Sequence, residues 1–153
     1  MIPVDQTVLG DRKGNCEAAA IASVLGLPLE DVPHFMLEDD WQGAENEFLA
    51  QFGLKSLILD ATSDDSWRPS GYHLISGKSP RGPFWHTVVG LDGEIVHDPH
   101  PSRSGLDEEQ SWTVFVATLE HCELFVRCPA CGSERAMVTH AMMQVCECGH
   151  ALA

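Results

Sequence analysis

Cysteine, histidine and aspartate are the side chains of this chain whose spacing can do chemistry. Cys16 opens the apolar run "NCEAAAIASVLGLP". The stretch "HTVVGLDGEIVHDPHP", residues 86 to 101, gathers His86, His97, Asp98 and His100 around what reads as one β-hairpin. His and Asp are poor strand formers, so propensity does not account for them. Cys128, Cys131, Cys146 and Cys148 crowd the C-terminus. A thiol becomes a catalytic nucleophile when a histidine takes its proton and a third group orients that histidine. Four thiolates close together suit tetrahedral zinc.

Cys16 falls just inside the start of a helix. Asn15 is a good N-cap, Glu17 suits the first turn, and Gly26 and Pro28 stop the run. Ala18 to Leu25 are apolar on most sides, which predicts a buried central helix. Unpaired N–H groups and the dipole at its N-terminus favour an anion and lower a thiol's pKa.

The hairpin supplies the partner through its register. A three-residue "LDG" loop, with Gly93 left-handed and a bulge, pairs Gly90 with Glu94 and brings His86 opposite Asp98. A two-residue "DG" loop of type I′ shifts the register by one. It sets Asp98 beside Thr87 and puts His97 on the face of His86. The bulged turn is the expectation, because it gives one histidine one carboxylate. Under the tight turn, His86, His97 and His100 become candidate ligands of a second metal, as in a metallohydrolase. Of the other histidines, His34 is read as a surface or packing residue and His73 as a strand-face residue. His97 and His100 flank Asp98 and are placed to tune it. Trp85 is read as core packing, with shielding of His86 or lining of a groove as its other uses.

The rest of the chain must hold these groups in place. Residues 1–14 read as irregular. "LPLEDVPHFML" reads as a short helix broken at Pro33, and "WQGAENEFLAQFG" as a helix ended by Gly53. "LKSLILDA", "GYHLISG", the hairpin, "SWTVFVATLE" and "CELFVR" read as strands. Helices come first and strands follow, so the fold class is α+β: a central helix packed on an antiparallel sheet. A composition break near Arg127 divides the chain into residues 1–126 and a small module, 127–153.

Composition limits the partners. The chain has 153 residues, is 44% hydrophobic and carries a formal net charge of −14. It can bury a core, and its acidity disfavours nucleic acid. No run approaches the ~18 apolar residues of a membrane span. The N-terminus lacks a signal pattern, and the uneven cysteines argue against a disulfide framework. The expectation is a protein of a reducing, cytoplasm-like compartment.

"GNCEAAAIASVLG", then "HTVVG", then "HDP" resemble the papain-like cysteine peptidase superfamily, in particular its compact bacterial and phage branch with the bacteriocin-processing peptidases. The resemblance covers residues 1–126 in order and size. It implies that Cys16 is the nucleophile, His86 the general base and then acid, and Asp98 the orienting residue, itself followed by Pro99. It also implies an oxyanion-stabilising Gln about six residues before the Cys. The only upstream glutamine is Gln6, ten positions before, with "GDRKGN" as a short insertion. Without it, the Cys16 N–H and another donor must stabilise the oxyanion. The implied activity is cleavage of an amide or isopeptide bond in a protein or peptide, or acyl transfer on the same scaffold. The rival expectation is a non-catalytic papain-like scaffold or assembly protein. The pattern suggests a phage or bacterial setting: an infected host's cytoplasm, or a virion.

The tail resembles a zinc ribbon. Cys128 and Cys131 form C-x2-C and Cys146 and Cys148 form C-x-C, each pair followed by Gly, with fourteen residues between the pairs. "AMVTH" and "MMQVC" read as strands between knuckles. So small a segment needs a staple, which structural zinc supplies. Because the second pair is short by one residue, His150 or His140 is the alternative to one thiolate. The ribbon is a candidate protein-docking surface.

Overall fold

A computed structural model of the chain describes residues 1–10, 13–61 and 67–118, and the strands 124–127, 134–137, 139–140, 143–145 and 151–152. The fold is α+β. Two helices, α1 (Cys16–Leu25) and α2 (Trp41–Ala50), precede the strands β1 (Leu54–Asp60), β2 (Tyr72–Lys78), β3 (Trp85–Leu91), β4 (Glu94–His97) and β5 (Glu108–Ala117). These form one sheet in the order β1-β5-β2-β3-β4, in which β2 pairs antiparallel with β3 and β5, and β3 with β4. No helix among the described residues is long and apolar enough to cross a membrane.

Alanine is what lets α1 lie close on the sheet. Ala18, Ala20, Ile21 and Ala22 pack with Leu74 of β2 and Val89 of β3, and with Phe35, Phe48 and Leu49 from the segment that follows. Gly26 ends the helix in the left-handed region, its N–H on the Ala22 carbonyl, as a C-terminal glycine should. Asn15 does not cap α1 with its side chain. Its Oδ1 instead accepts from the N–H groups of Thr7 and Val8 at 3.1 and 2.9 Å. The stretch Leu29–Leu37 forms two 3-10 turns, Leu29–Asp31 and Phe35–Leu37, rather than a helix. Pro33 removes a donor there and restricts the residue before it. In α2, Asp40 caps Gly43 N–H at 3.0 Å.

Alternation along β3 sorts its side chains. Val89 joins the core under α1, while Val88 packs with Ile75, Trp112 and Ala61 on the other face. At Gly77, opposite His86, β2 carries an irregularity in its pairing with β5. A Cβ there would stand 1.9 Å from the Glu108 carbonyl oxygen, so only glycine admits the approach.

The chain divides into two compact units, Met1–Val116 and Ala117–Ala153. The expected boundary at residues 126 and 127 falls inside the second. In that unit β6 (Leu124–Arg127) pairs antiparallel with β7 (Glu134–Met137). β9 (Met143–Val145) pairs antiparallel with β8 (Thr139–His140) and β10 (Ala151–Leu152). Cys128, Cys131, Cys146 and Cys148 lie outside the described residues, as do His150 and Cys122. β6 and β7 flank residues 128–133 in sequence, and β9 and β10 flank 146–150.

Candidate active site

The hairpin does not turn as the sequence suggested. Leu91 pairs with Glu94 and Gly90 with Ile95, so "DG" is a two-residue loop. Asp92 and Gly93 both have positive φ, 51° and 87°, as a type I′ turn requires. The three-residue turn fails because Asp92 tolerates the left-handed region, and its Oδ1 accepts the Gly71 N–H at 2.7 Å.

The His–Asp contact forms all the same. A bulge after Ile95 moves the register, so that Val89 pairs with His97. The extra residue carries His97 away from the face of His86, and its Nε2 meets the Val4 carbonyl at 2.9 Å. β4 then ends, and Asp98 turns back under β3. His86 Nε2 and Asp98 Oδ1 lie 2.6 Å apart, with both side chains buried.

Asp98 is held as an anion. Burial works against its charge. Hydrogen bonds from His86 and from the N–H groups of His100 and Gly105 outweigh that and keep its carboxyl far below the usual range. The two N–H bonds are each 2.8 Å long. Arg81 Nη1 stands 3.6 Å from Asp98 Oδ2 and also donates to Ser102 and Ser104. The His100 ring meets His86 edge-on at 6.2 Å. Burial and then the Arg81 charge lower the pKa of His100.

Residues 1–8 tie the two halves together. Ile2 N–H bonds the Ser23 carbonyl and Val4 N–H the Ser23 hydroxyl, both on α1. Gln6 N–H donates to the Pro99 carbonyl at 3.0 Å, next to Asp98. The Gln6 amide nitrogen lies 3.6 Å from where a Cβ on Gly14 would be, two residues before Cys16. Gln6 thus spans the distance between the Cys16 and Asp98 segments. Its Nε2 donates to the Val8 carbonyl, and its buried Oε1 has no partner among the described residues.

Cys16 is half-buried at the N-terminus of α1. It lines a cavity of about 230 Å³ with Gly10, Gly14, Glu17, Met36, Trp85 and Thr87. Its pKa is raised, contrary to the expectation from the helix terminus. Burial pushes the thiol up and Glu17 adds to that, while the N–H groups of Thr87, Glu17 and Cys16 itself act the other way. The helix terminus contributes, but desolvation is larger. No hydrogen bond joins Cys16 to His86 among the described residues. The thiol instead faces the backbone of Thr87, His86's neighbour, beyond the point where β4 pairing ends.

The sequence assigns no role to two residues of this site, and the expected role of a third changes. Arg81 gave no signal, since one arginine in "KSPRGPFW" has no periodicity. Thr87 bonds Glu17 Oε2 at 2.6 Å. The sole charge inside an otherwise apolar α1 was the available clue to that pair. Trp85 is not core: it is 61% exposed. It also walls a second cavity, of about 420 Å³, with Pro83 and Phe84. His73 is wholly buried, with Nδ1 2.9 Å from the Gly71 carbonyl. His34 Nε2 lies 3.0 Å from the Lys13 carbonyl.

Comparisons of the chain with protein-family models, with curated proteins and with solved structures find no match.

Proposed function

We propose that the protein is a thiol hydrolase of papain-like design, cleaving an amide or isopeptide bond of a peptide or protein. Cys16 is the nucleophile, His86 the proton carrier, Asp98 its orienting group and Gln6 the polar group beside the oxyanion. The observation that carries the reading is the buried His86–Asp98 pair at 2.6 Å, with Gln6 bonded to Pro99 and set against Gly14. An Asp bonded to Nε2 fixes the tautomer and leaves Nδ1 to face a thiol. Catalytic hydrogen bonds are often long before substrate arrives, so the missing Cys16–His86 bond agrees with the proposal. Cys16 Sγ would attack the carbonyl carbon as its proton passes to His86. His86 would return that proton to the leaving amine, and water would release the acyl group. The uncapped N–H groups at the start of α1 would face the oxyanion.

The unit Ala117–Ala153 is proposed to hold structural zinc on Cys128, Cys131, Cys146 and Cys148 and to dock a protein partner. A second reading of the whole, a non-catalytic scaffold, is favoured by the raised pKa of Cys16. Labelling of Cys16 by a thiol-directed electrophile separates the two. Hydrolysis predicts that labelling slows about 10²-fold or more in His86→Ala, the lower end for loss of a general base. Equal labelling of wild type and His86→Ala leaves only the scaffold.

A further inference from the structure

Helix α1 hides one acid that the triad does not use. Glu17 is buried within a run of Ala, Ile, Ser, Val and Leu. Its Oε2 accepts a hydrogen bond from Thr87 Oγ1 at 2.6 Å, and Thr87 Oγ1 lies 2.9 Å from Ser76 Oγ. Glu17, Thr87 and Cys16 line the same cavity. Behind them Glu45 of α2 is completely buried, and neither of its carboxylate oxygens has a hydrogen-bond partner among the described residues. Ser56 favours the Glu45 charge, but burial outweighs it, and the Ser56 hydroxyl bonds Asn46 Oδ1 at 3.2 Å.

A carboxylate with no donor, removed from water, stays protonated. Two buried carboxylates that repel each other do not both ionise near neutrality. Of this pair Glu17 has the better claim to the charge, because Thr87 donates to it. The groups that act on Glu17 are Cys16 from its own helix, Glu45 from α2 and Thr87 from β3, backed by Ser76 of β2. No Lys, Arg or His pairs with it among the described residues.

We infer that Glu17 is a positioning residue that stores a proton beside Cys16 and sets the pH range in which the thiolate forms. When neutral it leaves the thiolate unopposed. When ionised it repels the thiolate across the shared cavity. Burial first, and then the closeness of Glu45, lift the Glu17 carboxyl to about 7, which places the change at neutral pH. The inference rests on Cys16 being the nucleophile, yet its measurement needs neither His86 nor a substrate.

The test is the rate of Cys16 alkylation by iodoacetamide on the full chain, followed on the Cys16 peptide by mass spectrometry from pH 5.5 to 10. Glu17→Gln keeps the shape and the acceptor for Thr87 and removes the charge. The apparent thiol pKa should fall by about one unit, giving up to tenfold faster alkylation below it. Superimposable profiles for folded wild type and Glu17→Gln overturn the inference. If Glu17→Gln does not fold, the carboxyl carbon signal of Glu17 in the wild type decides. A midpoint near 7 supports the inference, and one near 4.5 overturns it. A profile shift in Glu17→Gln beside unchanged labelling of His86→Ala would refute the triad and leave this inference standing. The reverse pattern would do the opposite.

Discussion

His86 and Asp98 meet at 2.6 Å although neither faces the other across the hairpin: β4 has ended at His97 before Asp98 is reached. Asp98 is aimed by its own backbone contacts, with His100 and Gly105 donating to its oxygens. Asparagine at this position keeps one acceptor oxygen and loses the charge. Asp98→Asn should therefore lower thiol-dependent turnover by roughly 10²- to 10⁴-fold, the upper end being the loss when a catalytic His is left in the wrong tautomer. It should destabilise the fold by about 3 kcal/mol, as for a buried pair with one partner removed. Urea unfolding and rate measurements on the same sample check both, and a variant as active as wild type would remove Asp98 from the site.

How the site could be read from the sequence follows from which forces are local. The helix beginning at Cys16 and its glycine stop come from short-range patterns, and both appear in the structure. Sequence does not decide the turn, because "LDG" and "DG" loops differ by one residue of register and both suit glycine. A bulge at Val96, which leaves no sequence mark, then restored the contact. Local propensity favours Asn15 as a cap. A long-range pull from Thr7 and Val8 won instead. Gln6 could be nominated only by resemblance, since its place beside Gly14 and Pro99 depends on the path of the N-terminal arm. Burial could not be weighed for Cys16, so the sign of its pKa shift was missed.

Gly77 is predicted to be irreplaceable by alanine. The added Cβ would lie 1.9 Å from the Glu108 carbonyl oxygen, and backbone cannot step aside as a flexible side chain does. Either β5 leaves β2 or the irregularity at Ser76 and Gly77 is lost. Gly77→Ala should cost about 3 kcal/mol, as for forcing extra volume into a site with no room. Because Gly77 pairs with His86, labelling of Cys16 should lose its dependence on His86 in any fraction that still folds. A thermal midpoint within a degree of wild type would contradict the packing of β2 on β5.

Stability should fall as pH rises through neutrality. Burial raises the Glu17 carboxyl from 4.5 to about 7 and raises that of Glu45 as well. A folded value above the unfolded one means that the contribution is whole below the unfolded pKa and is lost as pH climbs through the folded one. For Glu17 the loss amounts to about 3 kcal/mol between pH 4.5 and 8. Asp98 works in the opposite sense, since its folded value is depressed. Its contribution is present above the unfolded carboxylate range and is lost as pH falls through the folded value. Thermal midpoints at constant ionic strength should therefore be highest at about pH 4 to 4.5, near the unfolded carboxylate values, and decline from there to about pH 8. Glu17→Gln should flatten the alkaline side of that peak, and an unaltered slope would show that Glu17 ionises normally.

Metal removal tests the C-terminal unit. The spacing of Cys128, Cys131, Cys146 and Cys148 calls for one zinc per chain, with no open position for catalysis. Elemental analysis of protein purified under reducing conditions should find a stoichiometry near one. Cys131→Ser should lose the metal outright. Cys148→Ser distinguishes the ligand sets: retention of zinc would move the fourth bond to His150 or His140. Chelation should melt the strands between Leu124 and Leu152, because so small a unit depends on metal for folding free energy. The unit Met1–Val116 has its own core of α1, α2 and the sheet, so its unfolding transition should persist. Cys16 labelling should then be equal in the zinc-loaded and chelated protein. A fall in labelling in step with zinc loss would mean that the metal acts on the Cys16 site.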